Sequence, residues 1–130
     1  LCNLLTLLDH TDTQLSRVQP ELQLEALLEF CRRNLHDPAL SPDFVAAQFG
    51  ISTRTLHLRF EKLEQTFGRW LLDARLDASR NALRNPQQHT RSISEIAYNC
   101  GCNDLSYFNK SFRTRFGTSP SEWRAEFLKR

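Results

Sequence analysis

Residues 92–117 read SISEIAYNCGCNDLSYFNKSFRTRFG, and this stretch decides the fold. Ser92, followed three residues later by Glu95, is a capping box that satisfies the first free N–H groups of a helix. Ile93, Ile96 and Ala97 then recur at helical spacing until Gly101 stops the run. Asn103 or Asp104 can cap a second helix over 105–116, where Phe108, Phe112 and Phe116 form one stripe, and Gly117 ends it. A short helix, a tight glycine turn and a second helix make a helix-turn-helix unit. Ala97 is small enough for the two helices to approach, and glycine takes the left-handed backbone that sets their angle.

The same pattern occurs earlier in the chain. Ala46-x-x-x-Gly50 matches Ala97-x-x-x-Gly101, Leu56 and Phe60 match Phe108 and Phe112, and Trp70 matches Trp123. Each copy reads as short helix, glycine turn, second helix and an aromatic-anchored third helix. Working outward, the spacing predicts a helix over 19–35, with Leu24, Leu27, Leu28 and Cys31 on one face and Asp37-Pro38 ending it. Ser41-Pro42-Asp43 opens the next helix. Ser52 caps a helix over 53–64, and 67–84 forms a long amphipathic helix closed by Asn85-Pro86. Ser119-Pro120 restarts a last helix through Trp123 and Phe127. Leu4, Leu5, Leu8 and Leu15 suggest a short N-terminal helix. The expected fold is all-α, with about seven helices and no strand alternation. Two helix-turn-helix subdomains, 19–66 and 86–130, are expected to flank a connecting helix at 67–85.

The chain has 130 residues, 40% of them hydrophobic and 25% charged, which fits one domain or two very small ones without long disorder. Its net charge of +2 hides a split. Residues 1–49 carry three basic and seven acidic residues, whereas 50–130 carry fourteen basic and eight acidic. The basic part suits a polyanionic partner; charge alone also fits a solvated mixed surface. The exposed set on the first candidate reading helix is Thr53, Arg54, Thr55, His57, Arg59 and Lys62. On the second it is Ser106, Tyr107, Asn109, Lys110, Arg113 and Arg115. The major groove admits one α-helix and displays a distinguishable donor and acceptor pattern, and basic, polar faces of this kind suit it.

At these residues, 21–128 resemble the DNA-binding domain of the AraC/XylS family of transcription regulators. The second repeat carries the likeness in Ile93-x-x-Ile96-Ala97-x-x-x-Gly101, Ser106-Tyr107-Phe108-x-x-x-Phe112-x-x-x-Phe116-Gly117-x-Ser119-Pro120-x-x-Trp123-Arg124. The first carries it in Val45-Ala46, Gly50-Ile51-Ser52, Arg54-Thr55-Leu56-His57 and Phe60, and the connecting helix in Trp70 through Arg75-Leu76. The resemblance implies sequence-specific binding of double-stranded DNA in successive major grooves, about 34–36 Å apart, by a transcription regulator of activator type and not an enzyme. By position, Arg54, His57, Leu58, Ser106, Tyr107, Asn109 and Lys110 are expected at bases. Ser52, Thr53, Thr55, Arg59, Ser92, Arg113, Arg115 and Ser119 are expected at phosphates. The family also implies contact with RNA polymerase, a small-molecule effector bound by a missing N-terminal domain, dimerisation through that portion, and a cytoplasmic location.

Three positions depart from the family pattern. Leu58 then Arg59 stand where the family has Arg then an apolar residue, so either Leu58 touches a thymine methyl or the helix is rotated. The family's glycine after the first reading helix falls at Glu64, which points to a longer turn. Cys102 replaces the usual Phe after the turn glycine, a smaller plug.

Other chemistry finds little support. No apolar run approaches a membrane span, and Leu1–Leu8 lacks the basic start of a signal peptide. Cys100-Gly101-Cys102 is not a C-x-x-C, so burial of reduced thiols competes with a redox, metal or alkyl-accepting role. His10, His36, His57 and His89 form no metal motif, and no phosphate-binding glycine loop occurs, so neither metal nor cofactor is expected. An all-helical module for an acidic protein partner is the alternative from a different class. The absence of Met suggests a piece of a longer protein, with residues 1–18 either the end of an upstream domain or a helix folding back.

Overall fold

The computed structural model describes residues 20–128. Among them are seven α-helices and no strand. In chain order these are α1 (Pro20–Arg33), α2 (Pro42–Gln48), α3 (Thr53–Phe60), α4 (Phe67–Leu83), α5 (Ile93–Asn99), α6 (Leu105–Phe116) and α7 (Pro120–Leu128). Single 3-10 turns occupy Glu61–Leu63 and Pro86–Gln88. The helix expected around Leu4, Leu5, Leu8 and Leu15 lies outside the described residues.

The chain forms two compact units. The described part of the first comprises residues 20–32 and 41–67, and that of the second 33–40 and 68–128. The connecting helix therefore belongs almost wholly to the second unit, together with the segment after α1. In the first unit Leu24, Leu27, Leu28 and Cys31 of α1 are buried, as are Val45, Ala46, Leu56, Phe60 and Phe67. Phe30 meets Phe49 edge-on at 5.7 Å and Phe60 meets Phe67 at 5.4 Å, the separations that favour aromatic pairs. In the second unit the core is Leu76, Leu83, Ile96, Ala97, Phe108 and Phe112, with Phe116, Trp123 and Cys102 packed against it. Trp123 donates its indole N–H to the Arg80 carbonyl at 3.2 Å, so its polar end is satisfied where its ring packs.

Helix starts follow local chemistry. Ser41, Ser52, Ser92 and Asp104 are N-caps, each accepting from the backbone N–H three residues on. Asp104, not Asn103, caps α6. Helix ends differ from the periodicity. α1 stops at Arg33 because the Asp37 N–H bonds the Asn34 carbonyl in a turn at 3.0 Å. The run expected over 53–64 is an α-helix only to Phe60, then tightens into the 3-10 turn. That turn closes at Glu64 with φ 56°, the left-handed conformation for which the family uses glycine. Glu64 thus takes up the geometry itself.

Candidate nucleic-acid interface

Each unit presents one candidate reading helix, α3 in the first and α6 in the second. On α3 an α-helical rotation of about 100° per residue puts Leu56 and Phe60 on the buried side and Arg54 and Leu58 opposite them. Arg54, His57 and Leu58 are all exposed, and Leu58 keeps 46% of its surface open although it is a leucine. Ser52 Oγ accepts from the Thr55 N–H and donates to Thr55 Oγ1, both at 3.0 Å. The Thr53 hydroxyl donates to Asp43 Oδ1 at 2.6 Å, tying the start of α3 to α2. Arg59 turns inward, its Nε donating to Gln23 Oε1 of α1 at 2.7 Å.

On α6, Phe108 and Phe112 are buried while Ser106, Tyr107, Asn109, Lys110 and Arg113 are exposed. Tyr107 is 55% exposed in the first turn of the helix. Arg113 lies 3.8 Å from Glu122, a pair open to solvent on both sides and so of little energetic weight. Arg115 forks onto Asp77 of α4, Nε to Oδ1 at 3.0 Å and Nη2 to Oδ2 at 3.1 Å, and its Nη1 lies 3.3 Å from Asp73 Oδ2. The bond to Asp77 pulls the Arg115 pKa further up. Ser92 and Ser119 use their hydroxyls as caps, accepting from the Glu95 and Glu122 N–H groups.

Two features of the second unit escaped the sequence pattern. Arg75 of α4 donates from Nε to the Leu35 carbonyl at 3.0 Å and from Nη2 to the Asp37 carbonyl at 2.7 Å, which fixes the segment after α1. Gly101, at φ 94°, packs so closely on this arrangement that a Cβ would collide with the Leu35 carbonyl oxygen and sit 2.6 Å from Arg75 Nε. No local signal could reveal these contacts, because the partners are between 26 and 66 positions apart in sequence. Beside the start of α6 lies an open, mainly apolar cavity of about 520 Å³ lined by Leu71, Leu72, Cys102, Asp104, Tyr107 and Phe108 among others. Burial pushes the Cys102 thiol up to about 11, against the pull of Arg75, and burial also raises Cys100. Among the described residues no three His, Cys, Asp or Glu side chains could hold a metal ion together, and no helix is long and apolar enough to cross a membrane.

A family model described as a helix-turn-helix domain matches residues 45–126. The transcriptional activator RhrA of Rhizobium meliloti (strain 1021) is 36% identical over 108 residues, which cover 83% of this chain and 34% of that protein. The chain spans between 31% and 42% of the length of the curated relatives it matches. A crystal structure of a transcriptional regulator with an AraC-type DNA-binding domain, from Chromobacterium violaceum, is similar at TM-score 0.74 and 28% identity, over 82% of this chain and 93% of that one. The DNA-binding domain of AdpA, a global transcriptional factor solved in complex with a target DNA, is similar at TM-score 0.71 and 26% identity, over 80% of this chain and 91% of that one. With two capped helix pairs, their glycine turns and these matches together, the chain belongs to the AraC/XylS-type helix-turn-helix family of DNA-binding transcription regulators.

Proposed function

We propose that this chain reads double-stranded DNA sequence-specifically through α3 and α6, which enter successive major grooves, as the DNA-binding part of a transcriptional activator. The observation that carries the reading is the repeated helix pair whose second member exposes a polar face with basic residues, Arg54 on α3 and Lys110 and Arg113 on α6, opposite an apolar inner face. In this reading Arg54, His57 and Leu58 meet bases from α3, and Ser106, Tyr107, Asn109 and Lys110 from α6. Ser52, Thr53, Thr55, Ser92, Arg113 and Ser119 lie at phosphates, where helix-start N–H groups favour anions. Residues 19–66 and 86–130 act as the two reading modules and 67–85 as connector. The exposed faces of α3 and α6 differ in sequence, so one copy reads an asymmetric site. Activation fits the relatives' names. Contact with RNA polymerase is part of this reading, effector binding and dimerisation belong in it to an N-terminal portion of the regulator, and a DNA reader of this kind works in the cytoplasm.

The test is a titration of fluorescent random duplex DNA at several salt concentrations. Each phosphate neutralised by a lysine or arginine adds about −0.9 to the slope of log affinity against log salt, so binding should weaken steeply as salt rises. Absent or salt-independent binding at low ionic strength contradicts the reading and favours an acidic protein partner.

A further inference from the structure

The position of Arg115 on α6 assigns it a task other than touching DNA. Lys110 and Arg115 are five residues apart, which turns their side chains about 140° away from each other around the helix. Ser106 and Arg113 share the Lys110 side. Arg115 instead falls between the directions of Phe108 and Ser111, toward α4. There its guanidinium makes a two-bond fork with Asp77, at 3.0 and 3.1 Å, and a third contact with Asp73 at 3.3 Å. Asp73 also lies 3.5 Å from Arg69 Nε, so two arginines and two aspartates form one chain of charges along α4 and the end of α6. The Asp73 side chain is 13% exposed, which shields its contact with Arg115 from salt, while the fork with Asp77, 42% exposed, is open to solvent.

A planar fork fixes direction as well as distance. Leu105, Phe108, Phe112 and Phe116 hold α6 by apolar contacts, which are non-directional and leave room for a slight roll about its axis. The fork opposes that roll. A roll of α6 would shift Ser106, Tyr107 and Lys110 sideways relative to the base edges.

We infer that Arg115, through Asp77 and Asp73, is a positioning residue that sets the roll of α6 and thereby the base preference of the second unit. This rests on the DNA-reading function proposed above. The decisive property is that Asp77 is anionic and so makes no favourable phosphate contact itself. Both sides of the fork should then give the same change in base preference, although removing one subtracts positive charge and removing the other subtracts negative charge.

The experiment uses the 130-residue chain and its Arg115→Lys, Arg115→Gln and Asp77→Asn variants, with folding verified by circular dichroism. Each is used to select duplexes from a random pool, and each is titrated on the selected and random duplexes over a range of salt. The positions read by α6 are identified as those whose preference disappears in Lys110→Ala. Arg115→Lys keeps the charge but cannot form the fork, and Asp77→Asn keeps the shape. Both should lower the ratio of selected to random affinity about 10-fold, the scale of one poorly read base pair, and relax only the α6 positions. The salt slope of Arg115→Gln should stay that of the unaltered chain. The assignment is overturned if Arg115→Gln reduces the slope by about 0.9, as loss of one phosphate contact does, while Arg115→Lys and Asp77→Asn leave base preference intact. An unaltered chain with no affinity for duplex DNA overturns the DNA reading, and this assignment with it. Binding by the unaltered chain separates the two failures.

Discussion

In the first unit, α3 starts at the neutral cap Ser52, two residues after Gly50, and runs for 8 residues before a 3-10 turn and Glu64 close it. In the second, α6 starts at the acidic cap Asp104, three residues after Gly101, and runs for 12 residues to Gly117. Both reading helices turn an arginine back into their own unit, but the partners differ. Arg59 bonds the neutral amide of Gln23, whereas Arg115 bonds two carboxylates. The two turn glycines differ as well. A Cβ on Gly50 meets nothing within 4 Å, while one on Gly101 meets backbone and Arg75. The lesson is that a shared helix-turn-helix geometry is held by different polar contacts in its two copies, Thr53–Asp43 and Arg59–Gln23 in one and the Arg115 and Arg75 contacts in the other. The helix ends and the second-unit anchors, not the apolar stripes, are where the copies part.

The comparison breaks first at the glycines. Gly101→Ala combines left-handed strain with a backbone collision and should cost roughly 3–5 kcal/mol. Gly50→Ala adds only the strain and should cost about 1–2 kcal/mol. Urea unfolding monitored by circular dichroism measures both, and equal losses would mean that the second turn is no tighter than the first.

DNA binding sharpens it next. Arg54→Ala and Lys110→Ala should each cost roughly 1–3 kcal/mol on the selected duplex and relax different base positions. Relaxation of the same positions by both would show that α3 and α6 do not read separate parts of a site.

A smaller effect concerns the helix ends. Glu64→Gly should stabilise the chain by about 1 kcal/mol by removing left-handed strain, and Gly117→Ala should destabilise it by a similar amount. Thermal unfolding of the pair reads this directly; a loss of stability in Glu64→Gly would mean that its side chain compensates for the strain.

The smallest effect lies at the residue after each turn glycine, Ile51 in one unit and Cys102 in the other. Because the folded thiol titrates near 11, above its ordinary value of 9.0, Cys102 stays protonated at neutral pH. Its contribution to stability is complete below about pH 9 and is lost as the pH rises through about 11. Iodoacetamide at pH 8 should alkylate Cys102 far more slowly in the folded chain than in urea, with mass spectrometry as the readout. Equal rates would place that thiol in solvent.

Much of the fold is legible in the sequence because its signals are local. Ser41, Ser52, Ser92 and Asp104 act on N–H groups three residues away, and the Phe108, Phe112 and Phe116 stripe follows helix period alone. The exposed faces follow from the same period, so Arg54, Leu58, Tyr107 and Lys110 are where the pattern puts them. The inward turns of Arg59, Arg75 and Arg115 are different. Their partners Gln23, Leu35, Asp37 and Asp77 lie 36 to 40 residues away, and tertiary packing alone brings them together. A basic residue on a polar helix looks the same in sequence whether it faces DNA or a carboxylate. The early end of α3 at Phe60 is equally hidden, because its apolar spacing continues to Leu63.

Selection of bound sequences from a random duplex pool by the unaltered chain tests the central claim most directly. Two dissimilar reading helices predict one asymmetric site with two blocks of base preference whose centres lie about 10–10.5 base pairs apart. Failure to enrich any sequence, or enrichment of a single block, would contradict an account in which both α3 and α6 read DNA.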